Sequence, residues 1–202
     1  MNYVSDIGMY VINRSREASC LHRTVFCNKT CYMNKLECAF NRTISPKDVE
    51  NDASWEAETY LSELEAMRNN PDRLRLMSRG EALARPEDIA KVARLCQMMP
   101  QTLIWLPTRC WRNRTMRIGA EALKQVHSNL VLQASIDPSN TLGEMADLKD
   151  SGWQLIFYGD DHIWEDTNMF VKCPKTWNKI KGHCAVCKTG CFAGRDVWLK
   201  KH

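Results

Sequence analysis

Short apolar runs alternate with helical patterns along most of this chain, and this order limits the fold more than any other feature of the sequence. The runs with strand character are MYVIN (9–13), RLRLM (73–77), TLIWLP (102–107), NLVLQAS (129–135) and WQLIFYG (153–159). Apolar residues at helical spacing follow Ser54, Pro86 and Met116, and a weaker helical pattern covers 142–149. The alternation predicts an α/β fold with about five mainly parallel strands. Five strands are too few to close an eight-stranded barrel, so we expect a partial, open βα-barrel.

Polar residues and glycines lie at the ends of these predicted strands. Right-handed crossovers would point the strands in one direction, so the loops at their carboxyl ends would meet on one edge of the sheet. The residues placed at this edge are Gly80, Glu81, Thr108, Arg109, Ser135, Asp137, Tyr158, Gly159 and Asp160, together with the cysteine-rich loop after the first strand. The sequence therefore predicts a functional site at this edge.

Most of the ten cysteines fall into two groups. The first group, Cys20, Cys27 and Cys31, lies in the loop after the first predicted strand. The tail cysteines have the spacing C-x10-C-x2-C-x3-C and are Cys173, Cys184, Cys187 and Cys191. Four thiolates can close a tetrahedral metal site or bind every iron of a cubane cluster. We therefore expect a partial barrel over 1–172, carrying the cysteine loop, and a metal-binding tail over 173–202 packed on the same domain.

The sequence predicts a cytoplasmic protein with reduced thiols. The N-terminal stretch MNYVSDIGMYVINRSRE lacks the basic start, apolar segment and cleavage site of a secretory signal. No apolar run approaches the about 20 residues that cross a bilayer, so no membrane partner is expected. Clustered cysteines in the cytosol hold metal more often than they form disulfides. Among the remaining thiols, Cys96 lies on an apolar helix face and is expected in the core, whereas Cys38 and Cys110 are expected to be unligated.

The spacing C-x6-C-x3-C-Y, which ends at Tyr32, is followed by RLMSRGE, IWLPTR, NLVLQAS and the closing cysteine group. This combination resembles the phage "gene product 88" family, which in turn resembles the radical S-adenosylmethionine enzymes. The resemblance implies a [4Fe-4S] cluster at Cys20, Cys27 and Cys31 with one iron left open. S-adenosylmethionine would bind that iron and be cleaved reductively. It also implies a second, auxiliary cluster at the tail cysteines, and a host cytoplasm if the chain is phage-encoded.

The chain departs from the usual C-x3-C-x2-C loop of those enzymes. Cys27 and Cys31 fit the first pair, but Asn34 takes the third place. The third ligand would therefore be Cys20, which the resemblance includes, or Cys38 in its stead. The Gly-Gly-Glu stretch that receives the cofactor amino group maps onto Arg79, Gly80 and Glu81, so the resemblance assigns the cofactor ammonium to Glu81. Ser135, Asp137 or Tyr158 could contact the ribose, because each lies at a strand end.

Other interpretations use the same residues. Zinc accepts mixed cysteine and histidine ligands, so the first group could hold zinc with His22 as a further ligand. His162 and His183 are possible ligands, although solvated loop histidines explain both. The arginines at 109, 112, 114 and 117 could grip phosphate or simply cover an exposed helix.

The tail also suggests a binding protein without catalysis. Its basic residues are Lys172, Lys175, Lys179, Lys181, Lys188, Arg195, Lys200 and Lys201. With Trp177 and Trp198 among them, this surface could bind single-stranded nucleic acid through phosphate contacts and base stacking, or dock on a host protein. The net charge of +4 supports only weak attraction to nucleic acid by itself. The residues alone assign no catalytic group.

Overall fold

The computed structural model describes residues 2–66, 71–160, 169–179, 183–188 and 190–200. Its strands are β1 (Asn2–Val4), β2 (Met9–Ile12), β3 (Arg73–Leu76), β4 (Leu103–Thr108), β5 (Leu130–Ile136), β6 (Gln154–Tyr158), β7 (Val171–Lys172) and β8 (Val197–Leu199). They form one open sheet in the order β1-β2-β3-β4-β5-β6-β8-β7. Neighbouring strands from β2 to β6 are parallel, as are β6 with β8 and β8 with β7, whereas β1 pairs antiparallel with β2. The predicted α/β class with a mostly parallel sheet is confirmed, and the five predicted strands are β2 to β6.

The helices of the described residues connect these strands. They are α1 (Arg16–Ser19), α2 (Val25–Thr30), α3 (Tyr32–Ala57), α4 (Thr59–Glu65), α5 (Glu87–Met98), α6 (Arg114–Val126), α7 (Leu142–Asp150), α8 (Pro174–Asn178) and α9 (His183–Val186). Short 3-10 turns cover Cys110–Arg112 and Cys191–Ala193. In the part of the chain that the structure describes, no helix combines the length and the apolar character that crossing a membrane requires.

The helix expected to begin near Ser54 begins much earlier, at Tyr32, so that prediction is wrong. The added residues are mostly polar and include Pro46, which hides this part of the helix from a search for apolar periodicity. The helix ends where Glu58 adopts a left-handed conformation with φ 57°, and α4 follows directly. The apolar spacing after Ser54 therefore belongs to two helices separated by a sharp break.

Side chains alternate between the two faces of the central strands. On one face, the residues of β4 and β6 that join the main core with α4 to α7 are Ile104, Leu106, Leu155 and Phe157. On the other face, Trp105, Ile156 and Val197 pack against Cys173, Cys191 and Phe192 of the tail. We call these the helical face and the tail face. The cysteine-rich tail therefore covers the side of the sheet opposite α4 to α7.

Gly119 explains how α5 and α6 come close together on the helical face. A Cβ atom at this position would lie 2.1 Å from the Cδ1 atom of Ile89. The glycine weakens the intrinsic helix propensity of α6, but it makes room for the Ile89 side chain of α5. The predicted helix around Met116, Ala120 and Leu123 is present, with these three side chains buried.

Candidate functional site

A cavity of about 670 Å³ lies over the tail face of the sheet. Residues of β3 to β6 that contribute to its wall are Arg75, Trp105, Pro107, Ser135, Ile156 and Tyr158. The loops at the carboxyl ends of these strands complete it with Gly80, Glu81 and Arg109. The predicted edge of the sheet thus borders this cavity, which extends from that edge onto the tail face.

The first cysteine group is carried by two short helices. Thr24 caps the N-terminus of α2 by accepting a hydrogen bond from the N–H of Cys27 at 2.8 Å. Cys20 follows α1 directly, Cys27 lies within α2, and Cys31 lies between α2 and α3. All three thiols line the cavity. Burial raises the pKa of Cys20 to about 12, and negative charge on Glu81, Cys27 and Cys31 adds to that rise.

Hydrogen bonds connect this cysteine loop to the strand ends. Thr24 Oγ1 donates to Asp137 Oδ2 at 2.6 Å, and Arg109 Nη2 donates to the same oxygen at 3.3 Å. The backbone N–H of Arg109 donates to Glu81 Oε2 at 2.9 Å. Because these contacts join residues that follow β3, β4 and β5, they fix the cysteine loop relative to the sheet.

Glu81 is 7% exposed and lines the cavity. Its backbone N–H donates to Ser19 Oγ at 2.9 Å, which ties it to α1. Burial raises the pKa of Glu81, and the hydrogen bond from the Arg109 N–H opposes that rise. Its Oε1 atom is buried and has no hydrogen-bond partner among the described residues. A buried acceptor without a donor is costly, so this oxygen marks a position where a ligand could donate a hydrogen bond.

Gly80 adopts a φ of +79°, a conformation that favours glycine. A Cβ atom at this position would lie 2.6 Å from both the Arg14 carbonyl oxygen and Ser19 Oγ. The glycine therefore allows the loop after β3 to approach the chain that enters the first cysteine group.

We expect Gly80→Ala to lower the free energy of unfolding by about 3 kcal/mol, because it adds a steric clash to the cost of a left-handed alanine. Gly152→Ala is a matched control, since Gly152 has a φ of +78° and a Cβ there meets nothing within 4 Å. That control should lose only about 1 kcal/mol. Urea denaturation of both variants measures the difference, and equal losses would contradict the close approach at Gly80.

The tail cysteines surround a second, small cavity of about 30 Å³. Burial raises the pKa of Cys191, and negative charge on Cys173, Cys184 and Cys187 raises it further. Arg73 holds this loop on the sheet, because its Nη1 donates to the carbonyl oxygens of Cys184 at 2.8 Å and Cys187 at 2.9 Å. Among the described residues, no group of three or more Cys, His, Asp or Glu side chains has a geometry ready for a metal ion.

Both cysteine groups open onto the same large cavity. Cys20, Cys27 and Cys31 line one part of its wall, and Cys173, Cys184 and Cys191 line another. The sequence placed the two groups in separate segments, and the structure brings them to one space on the tail face.

The three predicted ribose contacts have different surroundings. Ser135 and Tyr158 line the cavity. Asp137 is 1% exposed, and its carboxylate accepts hydrogen bonds from Thr24, Arg109 and Ser139. Burial would raise the pKa of Asp137, but hydrogen bonds from Ser139 and Thr24 bring it below its usual value. The hydrogen bonds to this carboxylate come from side chains of the same chain, and its contact with a ribose stays a prediction.

The structure also describes some of the residues that were considered as alternative metal ligands or as unligated cysteines. His22 lines the cavity with Nε2 3.2 Å from the Ala84 carbonyl oxygen, and burial lowers its pKa. Cys96 and Cys110 are buried in the main core. His162 and the side chains of Cys38 and His183 lie outside the described residues. Zinc ligation by His22, and ligation by Cys38 instead of Cys20, stay predictions.

Trp198 is 1% exposed, and its indole N–H donates to the Gly159 carbonyl oxygen at 2.8 Å. The Trp198 ring therefore belongs to the main core, whereas Trp177, the other tail tryptophan that could stack on a base, is partly exposed. Lys172 and Lys200 lie 4.5 Å and 5.1 Å from the ring centre of Trp177. Lys181 and Lys201 lie outside the described residues. A nucleic acid or host protein as partner of the tail stays a prediction.

Two of the four arginines that could grip phosphate or simply cover an exposed helix have acidic partners in the structure. Arg117 is held by ion pairs with Asp147 at 2.5 Å and Glu121 at 2.9 Å. Arg109 belongs to the cavity wall. Sequence reasoning missed Arg75 and Trp105, although Arg75 alternates with the buried Leu74 and Leu76 and so had to face away from the helical core.

Fold and site together define an α/β protein with an open, mostly parallel sheet and a cysteine-lined cavity on the face opposite α4 to α7. The chain belongs to the Gene product 88 family, whose sequence profile matches residues 5–155. The match includes the first cysteine group, Gly80, Glu81 and Ser135, and it ends before Tyr158 and the tail cysteines. No curated protein matches the chain. No solved structure matches it either.

Proposed function

We propose that this protein is an iron-sulfur enzyme of the radical S-adenosylmethionine type. Cys20, Cys27 and Cys31 would hold a [4Fe-4S] cluster with one iron free of cysteine, and the tail cysteines would hold a second cluster. The observation that carries the proposal is the convergence of three thiols and an unpartnered, buried carboxylate oxygen of Glu81 on one cavity.

The donor set fits such a cluster. Three thiolates occupy three irons of a cubane and leave the fourth for another ligand. Since each thiolate binds a different iron, the sulfurs of a cluster spread more widely than the ligands of a single ion. With S-adenosylmethionine at the open iron, a cluster reduced by an external one-electron donor would supply the electron for cleavage of a carbon–sulfur bond of the cofactor. The cavity of about 670 Å³ falls in the range of small-molecule sites.

Glu81 would bind the ammonium group of the cofactor. Its Oε2 atom is held by the backbone N–H of Arg109, while Oε1 keeps its capacity to accept a hydrogen bond. A charge-assisted hydrogen bond in a buried position is stronger than one in water. Ser135 and Tyr158 contribute to the same wall and would contact the ribose. Asp137 would act at a distance, by holding Thr24 and thereby α2 in place.

The strand order supports a partial βα-barrel for this chemistry. From β2 to β6 the strands follow one another in sequence order without reversal. Right-handed crossovers then put the connecting helices on one face, as in barrels whose sites lie at the carboxyl ends of the strands. The thiols would stay reduced in the host cytoplasm, where we propose that the protein acts.

We expect Glu81→Gln to weaken S-adenosylmethionine binding at least about tenfold, because it removes a charged acceptor from the cofactor ammonium. Isothermal calorimetry on the anaerobically purified protein, with iron measured in the same samples, provides the test. Iron content should be unchanged in this variant. Glu87→Gln, at an exposed position on α5, is the matched control and should bind the cofactor normally.

Two results would contradict this assignment. The first is cofactor binding of equal strength in Glu81→Gln and the original protein. The second is an iron-loaded protein that binds no S-adenosylmethionine at all.

A further inference from the structure

Arg75 is an arginine of β3 whose guanidinium group has no protein acceptor among the described residues. Its Nε atom is buried without a hydrogen-bond partner, and no ion pair joins Arg75 to a described carboxylate. The guanidinium carbon lies 4.7 Å from the ring centre of Trp105. Trp105 is 4% exposed, and its indole N–H donates to Gln133 Oε1 at 2.6 Å. Arg75 is therefore oriented by a fixed aromatic surface while its charge stays uncompensated by these residues.

Other basic side chains of the same wall are already paired. Arg79 lies 2.9 Å from Asp48, Arg109 lies 3.3 Å from Asp137, and Lys175 lies 2.5 Å from Asp6. Arg23 and Lys179 also line the cavity and are exposed to solvent. Arginines and lysines outnumber the acids among the described residues that line the cavity, where the only acids are Asp6 and Glu81, and this balance favours an anionic ligand over a cationic one.

The two ends of the cavity carry different charges. Glu81 lies next to α1 at the first cysteine group, because its backbone N–H donates to Ser19 Oγ at 2.9 Å. Arg75 lies on the side of the tail cysteines, because its guanidinium packs on Trp105, and Trp105 lines the small cavity together with all four of them. A cofactor bound at Glu81 would therefore leave the Arg75 end for a second molecule.

We propose that Arg75 binds a carboxylate or phosphate group of the substrate at the tail end of the cavity. This inference rests on the proposed function, since it names the class of molecule that lies next to the cofactor. A planar guanidinium matches the two oxygens of such a group with parallel hydrogen bonds. The stacking on Trp105 limits the motion of the guanidinium before the ligand arrives, which lowers the entropy cost of binding.

The test is calorimetric titration of the anaerobically purified protein at low salt, with inorganic phosphate in one series and succinate in another. At least one of these anions should bind, and saturating S-adenosylmethionine should leave that binding in place. The anion that binds more tightly shows whether the site prefers a phosphate or a carboxylate group. Arg75→Gln should weaken the binding about 10- to 100-fold and keep the full iron content. Arg75→Lys keeps the charge but loses the paired donors, so its affinity should be intermediate.

Arg114→Gln removes the same charge from an exposed position outside the cavity and should bind the anion normally. The proposal is overturned if neither anion binds, if Arg75→Gln binds as well as the original protein, or if S-adenosylmethionine displaces the anion. Loss of iron in Arg75→Gln and Arg75→Lys would overturn it too, because Arg75 would then be needed for the metal site of the tail cysteines. Anion binding through Arg75 without any cofactor binding would contradict the proposed function and leave the anion site intact. Cofactor binding without anion binding would contradict only the role of Arg75.

Discussion

Replacement of Cys27 by alanine is expected to remove about half of the iron from the anaerobically purified protein. Each cubane holds four irons, and the tail cysteines would retain theirs. Cys27 lies within α2, where the Thr24 cap fixes its backbone at the cavity. Two remaining thiolates would not hold a cluster that depends on three. Iron and acid-labile sulfide should fall together, and the visible absorbance of the thiolate–iron bonds should fall with them.

Controls for this experiment come from the same chain. Cys184→Ala should keep all of the iron of the first cysteine group, since Cys184 belongs to the tail cysteines. Cys96→Ala changes a thiol that is 2% exposed in the main core, and it should keep all of the iron. An unchanged iron content and absorbance in Cys27→Ala would rule out a cluster at the first cysteine group.

Asp88→Ala is expected to lower the free energy of unfolding by about 3 to 5 kcal/mol, the cost of breaking a buried ion pair by removing one partner. Asp88 is fully buried on α5 and accepts hydrogen bonds from Arg14 Nη1 at 3.1 Å and from the Trp55 indole N–H at 2.7 Å. It also accepts from the backbone N–H groups of Ala84 and Arg85. Alanine would leave the Trp55 indole and these two backbone N–H groups without this acceptor, and the buried Arg14 would keep, among the described carboxylates, only Glu56 at 2.8 Å and Asp52 at 3.6 Å.

Arg14 connects this buried network to the site, because its backbone packs against Gly80 just before the first cysteine group. Urea denaturation monitored by tryptophan fluorescence measures the loss of stability. Asp150→Ala, at an exposed position on α7, is the control and should change stability by less than about 0.5 kcal/mol. A loss below about 1 kcal/mol in Asp88→Ala would show that the network does not stabilise the fold as described.

The central strands could be predicted because their signal is local. Residues of β2 to β6 form short apolar runs, and parallel strands buried on both faces are expected to look that way. β7 and β8 contain two and three residues and form through pairing with distant parts of the chain, so the sequence near them carries little signal. The start of α3 was missed for a different reason, since a mostly polar helix shows no apolar stripe.

The positions of four candidate residues could also be predicted, whereas their roles stay predictions. Gly80, Glu81, Ser135 and Tyr158 were placed by the simple rule that carboxyl ends of parallel strands meet at one edge, and all four line the cavity. The rule does not say which side chains turn back into the protein. Asp137 does so because Ser139, two residues later, and Thr24, from the cysteine loop, both bind its carboxylate.

Arg75 lines the cavity, but the sequence did not identify it as a candidate residue. Its position inside a strand made it an unpromising functional residue, and only the tail covering the far face of the sheet gives that side chain a cavity to line. Tertiary packing of this kind depends on residues separated by more than 100 positions, such as Arg73 with Cys184.

We propose that the first cysteine group holds an iron-sulfur cluster with one iron open to a small molecule. Electron paramagnetic resonance of the reduced protein, recorded with and without S-adenosylmethionine, tests it most directly. We predict a cluster signal whose g values shift when the cofactor is added, and no such shift in Cys27→Ala. A signal that the cofactor leaves unchanged, or a protein that contains zinc and gives no cluster signal, would contradict the claim.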